Sequence, residues 1–425
     1  MSPTFYSLGI RNYRIWFFGA LVSNIGTWMA RVAQDWLVLV ELTDHSASAL
    51  GLVTGLQFLP FLLLAPWAGA FVDRFDKRRL IMGTQAALGL VSLATGVLAV
   101  TGIAQLWHVY LLALLQGIAT AVDVPARQAF VSELVPTSRL ANAVALNSAS
   151  FNSGRLIGPG VAGLVIAAWG SGVALIVNAV TFGAVLLSLT FLDRKALTPA
   201  PKRVGRGSIR EGFAYVRGRP DIQLVMLLVF VLGTFGLNFQ VTMALMATEV
   251  FGKGPEEFGA LGSIMAIGSL VAALMSARRA NPRLRHLLVS LAGFTLAATA
   301  AALAPNYVTF AVLLVPLGLS ALTAMTTANA MVQLRTDPSM RGRVMALYMA
   351  VFMGGTPIGA PLIGWIGDVF GARWTIGIGP IAIGLTLLVV GRHLWRVENV
   401  HVHLSRHHSP HLWVTTGAPT PEPAR

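Results

Sequence analysis

Residues 154–163 read GRLIGPGVAG, and residues 355–364 read GTPIGAPLIG. Gly154, Ile157, Gly158 and Gly163 recur 201 positions later as Gly355, Ile358, Gly359 and Gly364. The same offset pairs Ala145 with Ala346, Leu146 with Leu347, Phe151 with Phe352, Gly170 with Gly371 and, one apolar stretch earlier, Gly117 with Gly318. One constant offset held over two stretches marks an internal duplication. Glycines four apart let helices approach closely where lipid supplies no hydrophobic drive. Pro159 removes a backbone hydrogen bond and permits a kink. Each half of the chain therefore carries a packing seam suited to a membrane helix.

The rest of the chain agrees with that setting. Of 425 residues, 55% are hydrophobic and 11% charged, against roughly 25% charged in a soluble domain. So few charges cannot coat a water-facing surface, which excludes a soluble enzyme or a DNA-binding protein. Apolar runs long enough to cross a ~30 Å hydrocarbon core recur throughout. Twelve helices are expected near 12–40, 48–72, 79–101, 105–126, 140–168, 171–192, 221–251, 257–277, 286–304, 307–334, 343–369 and 373–395. The first is too long for a signal-peptide core and lacks a cleavage site, so it reads as a transmembrane helix. The fold class is an all-α polytopic membrane protein, two six-helix repeats related by an axis along the membrane normal. With no cysteine in the chain, disulfides and thiolate metal sites are excluded. There is no phosphate loop, HExxH or GxSxG pattern, so neither ATP-driven transport by this chain alone nor hydrolysis is expected. No cofactor or metal is expected.

A net charge of +14 would suggest nucleic acid in a soluble protein. Here the basic residues alternate between loops. One side holds Arg74, Lys77, Arg78 and Arg79, then Arg127 and Arg139, Arg278 to Arg285, and Arg335 to Arg343; the other holds Lys253 and Arg373. By the positive-inside rule both termini are cytoplasmic, and no nucleic-acid partner is expected. Residues 1–192 form a first six-helix bundle and residues 221–396 a second. Residues 193–220 form a basic cytoplasmic linker, in which Ile209, Phe213 and Val216 recur at helical spacing, either as an interfacial helix or as a plain connector. Residues 397–425 form a His- and Pro-rich tail expected to lack regular structure.

Between the second and third spans stands Gly69-Ala-Phe-Val-Asp73-Arg74-Phe-Asp76-Lys77-Arg78-Arg79. This resembles the G-x-x-x-D-R-x-G-R-[RK] loop of the major facilitator superfamily, with Asp76 in place of the second glycine. Gly154, Gly158, Pro159 and Gly163 resemble that superfamily's antiporter motif, with Ala162 for one glycine. Asp123-Val-Pro125-Ala126-Arg127-Gln128 and the following Asn142 to Ser148 are similar to the branch containing bacterial enterobactin exporters and related drug/proton antiporters. The resemblance implies that Asp73 latches one half to the other in the outward-open state, with Gly69, Arg74, Arg78 and Arg127 in the same device. It also implies that the first and fourth helices line a central cavity.

Charges inside spans are costly and mark function or pairing. Asn24, Trp28, Arg31 and Asp35 share one face of the first helix, Gln116, Thr120, Asp123 and Arg127 one face of the fourth, and Ser148, Asn152 and Arg155 one face of the fifth. Arg31 and Asp35 form either a static i, i+4 ion pair or a site at which Asp35, with Arg31 and Asp123, carries a coupling proton. Arg155 either attracts an anionic substrate or pairs structurally. In the second half, Asp123, Arg127 and Arg155 become Ala324, Ala328 and Thr356, and the polar lining is neutral: Asn238, Thr242, Thr326 and Asn329. Met345, Met349 and Met353 form a stripe that either packs or gives an adaptable wall.

The expected function is proton-coupled export of small amphipathic compounds, drug-like or siderophore-like, by alternating access in the inner or plasma membrane. The expected partners are the lipid bilayer, a small-molecule substrate and protons, and the expected state is a monomer. The alternatives are a facilitator, importer or lysolipid flippase, or a non-transporting receptor or scaffold on the same fold.

Overall fold

Local signals set the ends of the spans. The Ser46, Asp76 and Asn306 side chains accept from the backbone N–H of Ala49, Arg79 and Thr309 at 3.2, 2.8 and 2.9 Å, each capping a helix start. Gly170 and Gly371 stand at φ 83° and 98°, a conformation that side-chain-bearing residues rarely adopt, and each closes a long helix at its repeat position.

The protein is described by a computed structural model covering residues 3–197, 209–277, 282–398, 401–404 and 412–415. In the first half, α1 (Arg11–Trp36) continues through a wide, π-type turn at Leu37–Leu42. It is followed by α2 (Ala47–Arg74), α3 (Lys77–Val100), α4 (Leu106–Leu134), α5 (Thr137–Trp169) and α6 (Ser171–Thr190). After the linker come α7 (Ile209–Arg217), α8 (Pro220–Val231), α9 (Phe239–Leu245), α10 (Pro255–Ala277), α11 (Leu284–Ala302), α12 (Tyr307–Arg335), α13 (Arg341–Phe370) and α14 (Ala372–Glu398). Ten spans among the described residues are long and apolar enough to cross a membrane. The other two membrane-length helices are α1 and α5, at 26 and 33 residues, and they carry Arg31, Asp35 and Arg155. Twelve spans in two sets of six result.

The seventh span differs from the single helix expected over 221–251. It is α8, a wide turn at Leu232–Gly236, a break at Leu237 and Asn238, α9, and a second wide turn at Met246–Val250. Gly233 and Gly236 weaken the helix there. Irregular backbone at membrane depth is tolerated where protein or a cavity covers it.

The duplication is physical. Gly154 packs on Asn24, and Gly158 on Ile25 and Trp28; at the repeat positions, Gly355 and Gly359 pack on Gly233 and Thr234 of the seventh span. Gly117 meets Gln57 and Pro60 of α2, and Gly318 meets Met265 of α10. Gly163 meets Pro255 at the start of α10, and Gly364 meets Ala47 at the start of α2. Side chains at these glycines would collide with backbone, so the seams fix which helices touch.

The two bundles meet along α2–α13 and α5–α10. The contacts lie at the end with few basic loops. There Gly51 and Gly55 face Ala360 and Pro361, Gly259 and Gly262 face Pro159, and the Gly160 N–H donates to Ser263 Oγ at 3.1 Å. The Asp368 carboxylate of α13 accepts from the backbone N–H of Ala47 at 2.7 Å and of Ser48 at 3.0 Å, capping α2 across the boundary between halves. At the opposite, basic end, Phe71, Asp73, Arg74 and Phe75 are exposed. The connector containing Ile209, Phe213 and Val216 is the short helix α7. Its Val216 is buried, and Glu211 pairs with Arg343 of α13 at 3.1 Å, so it packs on the second bundle. In the tail, His401–Leu404 pairs antiparallel with Leu412–Thr415. Regular structure was not expected there, although Val402, Leu404, Leu412 and Val414 alternate at the period of a strand. Thr198 to Ser208, Arg278 to Arg279, and His407, His408 and His411 lie outside the described residues.

Candidate central cavity

Side chains on α1 point towards the preceding turn, so polar residues one turn apart stack along one face. At the start of this stripe, Asn24 Nδ2 donates to Ser150 Oγ of α5 at 2.9 Å and is consumed in the seam. Trp28 follows, its ring 5.6 Å from that of Phe151 and at 70° to it. Next, the Arg31 guanidinium lies 4.9 Å from the centre of the Trp28 ring and 5.8 Å from that of Phe58 on α2. The Arg155 guanidinium of α5 lies 5.8 Å from the same Trp28 ring. Asp35 closes the stripe at 5% exposure, with no hydrogen bond and no ion pair within 4.0 Å among the described residues.

These groups enclose a cavity of about 160 Å³ at the junction of the halves. α1 and α5 supply Trp28, Arg31, Asp35, Arg155 and Pro159, and α2 supplies Thr54 and Phe58. The broken seventh span gives Leu237, Asn238, Phe239, Gln240 and Met243; α10 gives Phe258 and Met265, and α13 gives Thr356. The wall is one acid, two guanidiniums, four neutral polar groups and an aromatic and thioether lining. At the break, Asn238 Nδ2 donates to the Thr234 carbonyl at 2.7 Å, while Asn238 Oδ1 and Thr234 Oγ1 are buried without a partner.

Of the sequence candidates, Trp28, Arg31, Asp35, Arg155, Pro159 and Asn238 come together here. The fourth helix does not line the cavity. Its Gly117 packs on α2, Thr120 Oγ1 donates to the Gln116 carbonyl at 2.7 Å, and Asp123 turns to α3. There Asp123 accepts from Thr84 Oγ1 at 2.6 Å and from Gln85 Nε2 at 2.9 Å, with Arg127 at 3.8 Å. Asp123 is thus a buried, saturated structural carboxylate. Asn152 donates to the Ser148 carbonyl at 2.9 Å. Thr242 faces a separate small pocket beside Thr375, Thr326 bonds Ser276, and Asn329 bonds Gln333. The thioethers lining the cavity are Met243 and Met265, not the stripe from Met345 to Met353.

The latch residues are disengaged from one another. Gly69 and Asp73 are exposed, and no described residue bonds the Asp73 carboxylate. Arg78 is buried with Nε donating to the Leu189 carbonyl at 2.7 Å, and the Arg127 guanidinium lies 5.4 Å from the Trp16 ring centre. Phe58, Gln240 and the break at Asn238 were not singled out from sequence. The Gly233–Gly236 pair followed by Asn238 is the one signal that could have found the break.

Two six-helix repeats seamed by glycines around a polar cavity at mid-membrane define a major facilitator-type transporter. A family model for transmembrane secretion effectors matches residues 2–416, and the chain belongs to that family. It is 28% identical over 393 residues to a staphyloferrin A transporter of Staphylococcus aureus, covering 90% of this chain and 96% of the relative. It is 26% identical over 388 residues to an enterobactin exporter of Shigella boydii, covering 89% and 91%. Among solved structures, a nucleoside transporter superposes with TM-score 0.72 at 12% identity, covering 90% of this chain and 99% of that one. That last likeness speaks for the fold alone.

Proposed function

We propose that this transporter exports small amphipathic compounds by alternating access, driven by protons entering through the cavity. The names of the relatives, one a siderophore exporter, support export of a siderophore-like or drug-like cargo. With the basic loops in the cytoplasm, both termini are cytoplasmic and the cavity lies on the cytoplasmic side of the closed Asp368 end. This is the state in which an exporter of the inner or plasma membrane loads its cargo. Asp123 is saturated by hydrogen bonds, which leaves Asp35 as the coupling acid.

The single observation that carries the reading is Asp35 itself. A carboxyl group in a membrane-spanning helix, facing a cavity and lacking any bonded partner, has no structural work to do and is free to gain and lose a proton. The apolar lining and the adaptable Met243 and Met265 suit a partly apolar cargo. We take the protein as a monomer, with the two bundles rocking about the glycine seams.

The test is flux in proteoliposomes of the purified chain. A compound panel is presented at two pH gradients, with counterflow measured in parallel. Uphill movement that follows the imposed gradient, together with counterflow of the same compound, is the expected result. Flux that ignores the gradient would make the protein a facilitator, and no flux at all would leave a receptor on a transporter fold.

A further inference from the structure

Arg31 and Arg155 are two partly buried guanidiniums at the same indole ring, and neither has a hydrogen bond or ion pair among the described residues. Arginine stays charged in proteins, so both enter the cavity as full cations. Asp35 is the only acid on the wall. Even with Asp35 ionised, the lining carries an uncompensated positive charge, and isolated buried charge is strongly unfavourable unless something balances it. The aromatic faces of Trp28 and Phe58 offset part of that cost, but they leave the forked N–H donors unsatisfied.

The rest of the wall narrows the answer. Planar guanidinium forks match two-oxygen anions. Next to them stand Asn238, Gln240, Thr54 and Thr356, all neutral, and then the apolar wall of Phe239, Phe258 and Met265. A cationic ligand would meet two like charges against one acid, and a wholly apolar one would leave both forks unpaired. The 160 Å³ volume takes a small head rather than a whole drug-sized molecule, whose pockets run roughly 300–1,000 Å³.

We infer that the cavity recognises the anionic head of its cargo, a carboxylate or similar two-oxygen group gripped between Arg31 and Arg155, with the apolar body of the cargo against the second-half wall. The inference rests on the transport reading only for the word cargo; the binding site itself stands without it. Thr356 occupies the repeat position of Arg155. The duplicated scaffold therefore tolerates a neutral residue there, which leaves recognition as the reason for a cation in the first half.

Benzoate, benzamide and benzylamine are matched probes: one ring, with an anionic, neutral or cationic head. Binding to the purified chain in nanodiscs, read by equilibrium dialysis of the radiolabelled compounds, should rank benzoate first. Arg155→Gln should weaken benzoate about tenfold, as expected for losing a charged hydrogen-bonding partner, while Arg155→Lys should restore much of it and benzamide should change little. Lysophosphatidylglycerol in the same assay separates a lipid head from a soluble acid; Arg155-dependent binding of either supports the anionic site. Benzylamine binding tighter than benzoate in the unaltered protein overturns the inference, and needs no variant to fold. So does benzoate binding that Arg155→Gln leaves unchanged. Arg155-dependent benzoate binding without flux would sustain the site and sink the exporter. Gradient-driven flux with a preference for benzylamine would do the reverse.

Discussion

The Arg31 side chain leans back on Trp28, three residues towards the start of α1, as long helical side chains do. It therefore does not reach forward to Asp35, and the static i, i+4 pair that the spacing allowed is not made. Asp35→Asn keeps the size of the group and removes only its proton. Uphill, pH-driven export should be lost while downhill exchange of the same compound persists, both read in proteoliposomes. If Asp35 served only to balance Arg31, its loss would leave a buried cation bare at a cost of about 3–5 kcal/mol, and expression and both activities would fall together. The charges of this site were legible in the sequence because charges in apolar helices stand out. Phe58 and Gln240 were not, since one aromatic or amide in an apolar run carries no pattern. Asp123 was placed wrongly because its stripe on α4 is real, but the neighbour it faces, with Thr84 and Gln85, is set by packing rather than by period.

Two carboxylates at opposite ends of the molecule act on one equilibrium between helices. Asp368 of α13 caps α2 and holds the end with few basic residues closed. Asp73 ends α2 at the other side and is unbonded in this state. A cap of this kind is worth about 1 kcal/mol, so Asp368→Ala should favour opening at its end about fivefold. Because the chain has no cysteine, a reporter pair is unambiguous: Gly160→Cys with Ser263→Cys, where a Cβ at Gly160 would lie 3.2 Å from Ser263 Oγ. Cross-linking of that pair should fall in Asp368→Ala. In Asp73→Asn it should rise, because the substitution weakens a latch made only in the alternative state. Unchanged yields in Asp73→Asn would mean that the loop charges serve topology alone. The broken seventh span belongs to this scale too. Periodicity sees eleven apolar positions in a row as one helix, whereas Gly233 and Gly236 let the chain open where the cavity needs side chains from both walls.

At the scale of the molecule, the loop charges predict orientation. A reporter fused after Leu197 should read cytoplasmic and one after His45 periplasmic; a periplasmic signal after Leu197 would overturn the twelve-span count. The fold was readable because hydropathy and the constant offset survive duplication. The division of labour between halves was readable only in outline. The loss of charge at Ala324, Ala328 and Thr356 was plain, but the break that replaces it was not.

The helix α7 rests on α13 through Val216 and Glu211, so the connection between halves is anchored on one side only. Everything else joining the bundles is surface: glycine seams, the Asp368 cap and the walls of the cavity. Two polypeptides, one ending at Leu197 and the other starting at Ile209, should therefore find each other when produced in the same cell and move cargo as the single chain does. Such a pair would make the molecule, in effect, a dimer of unlike partners.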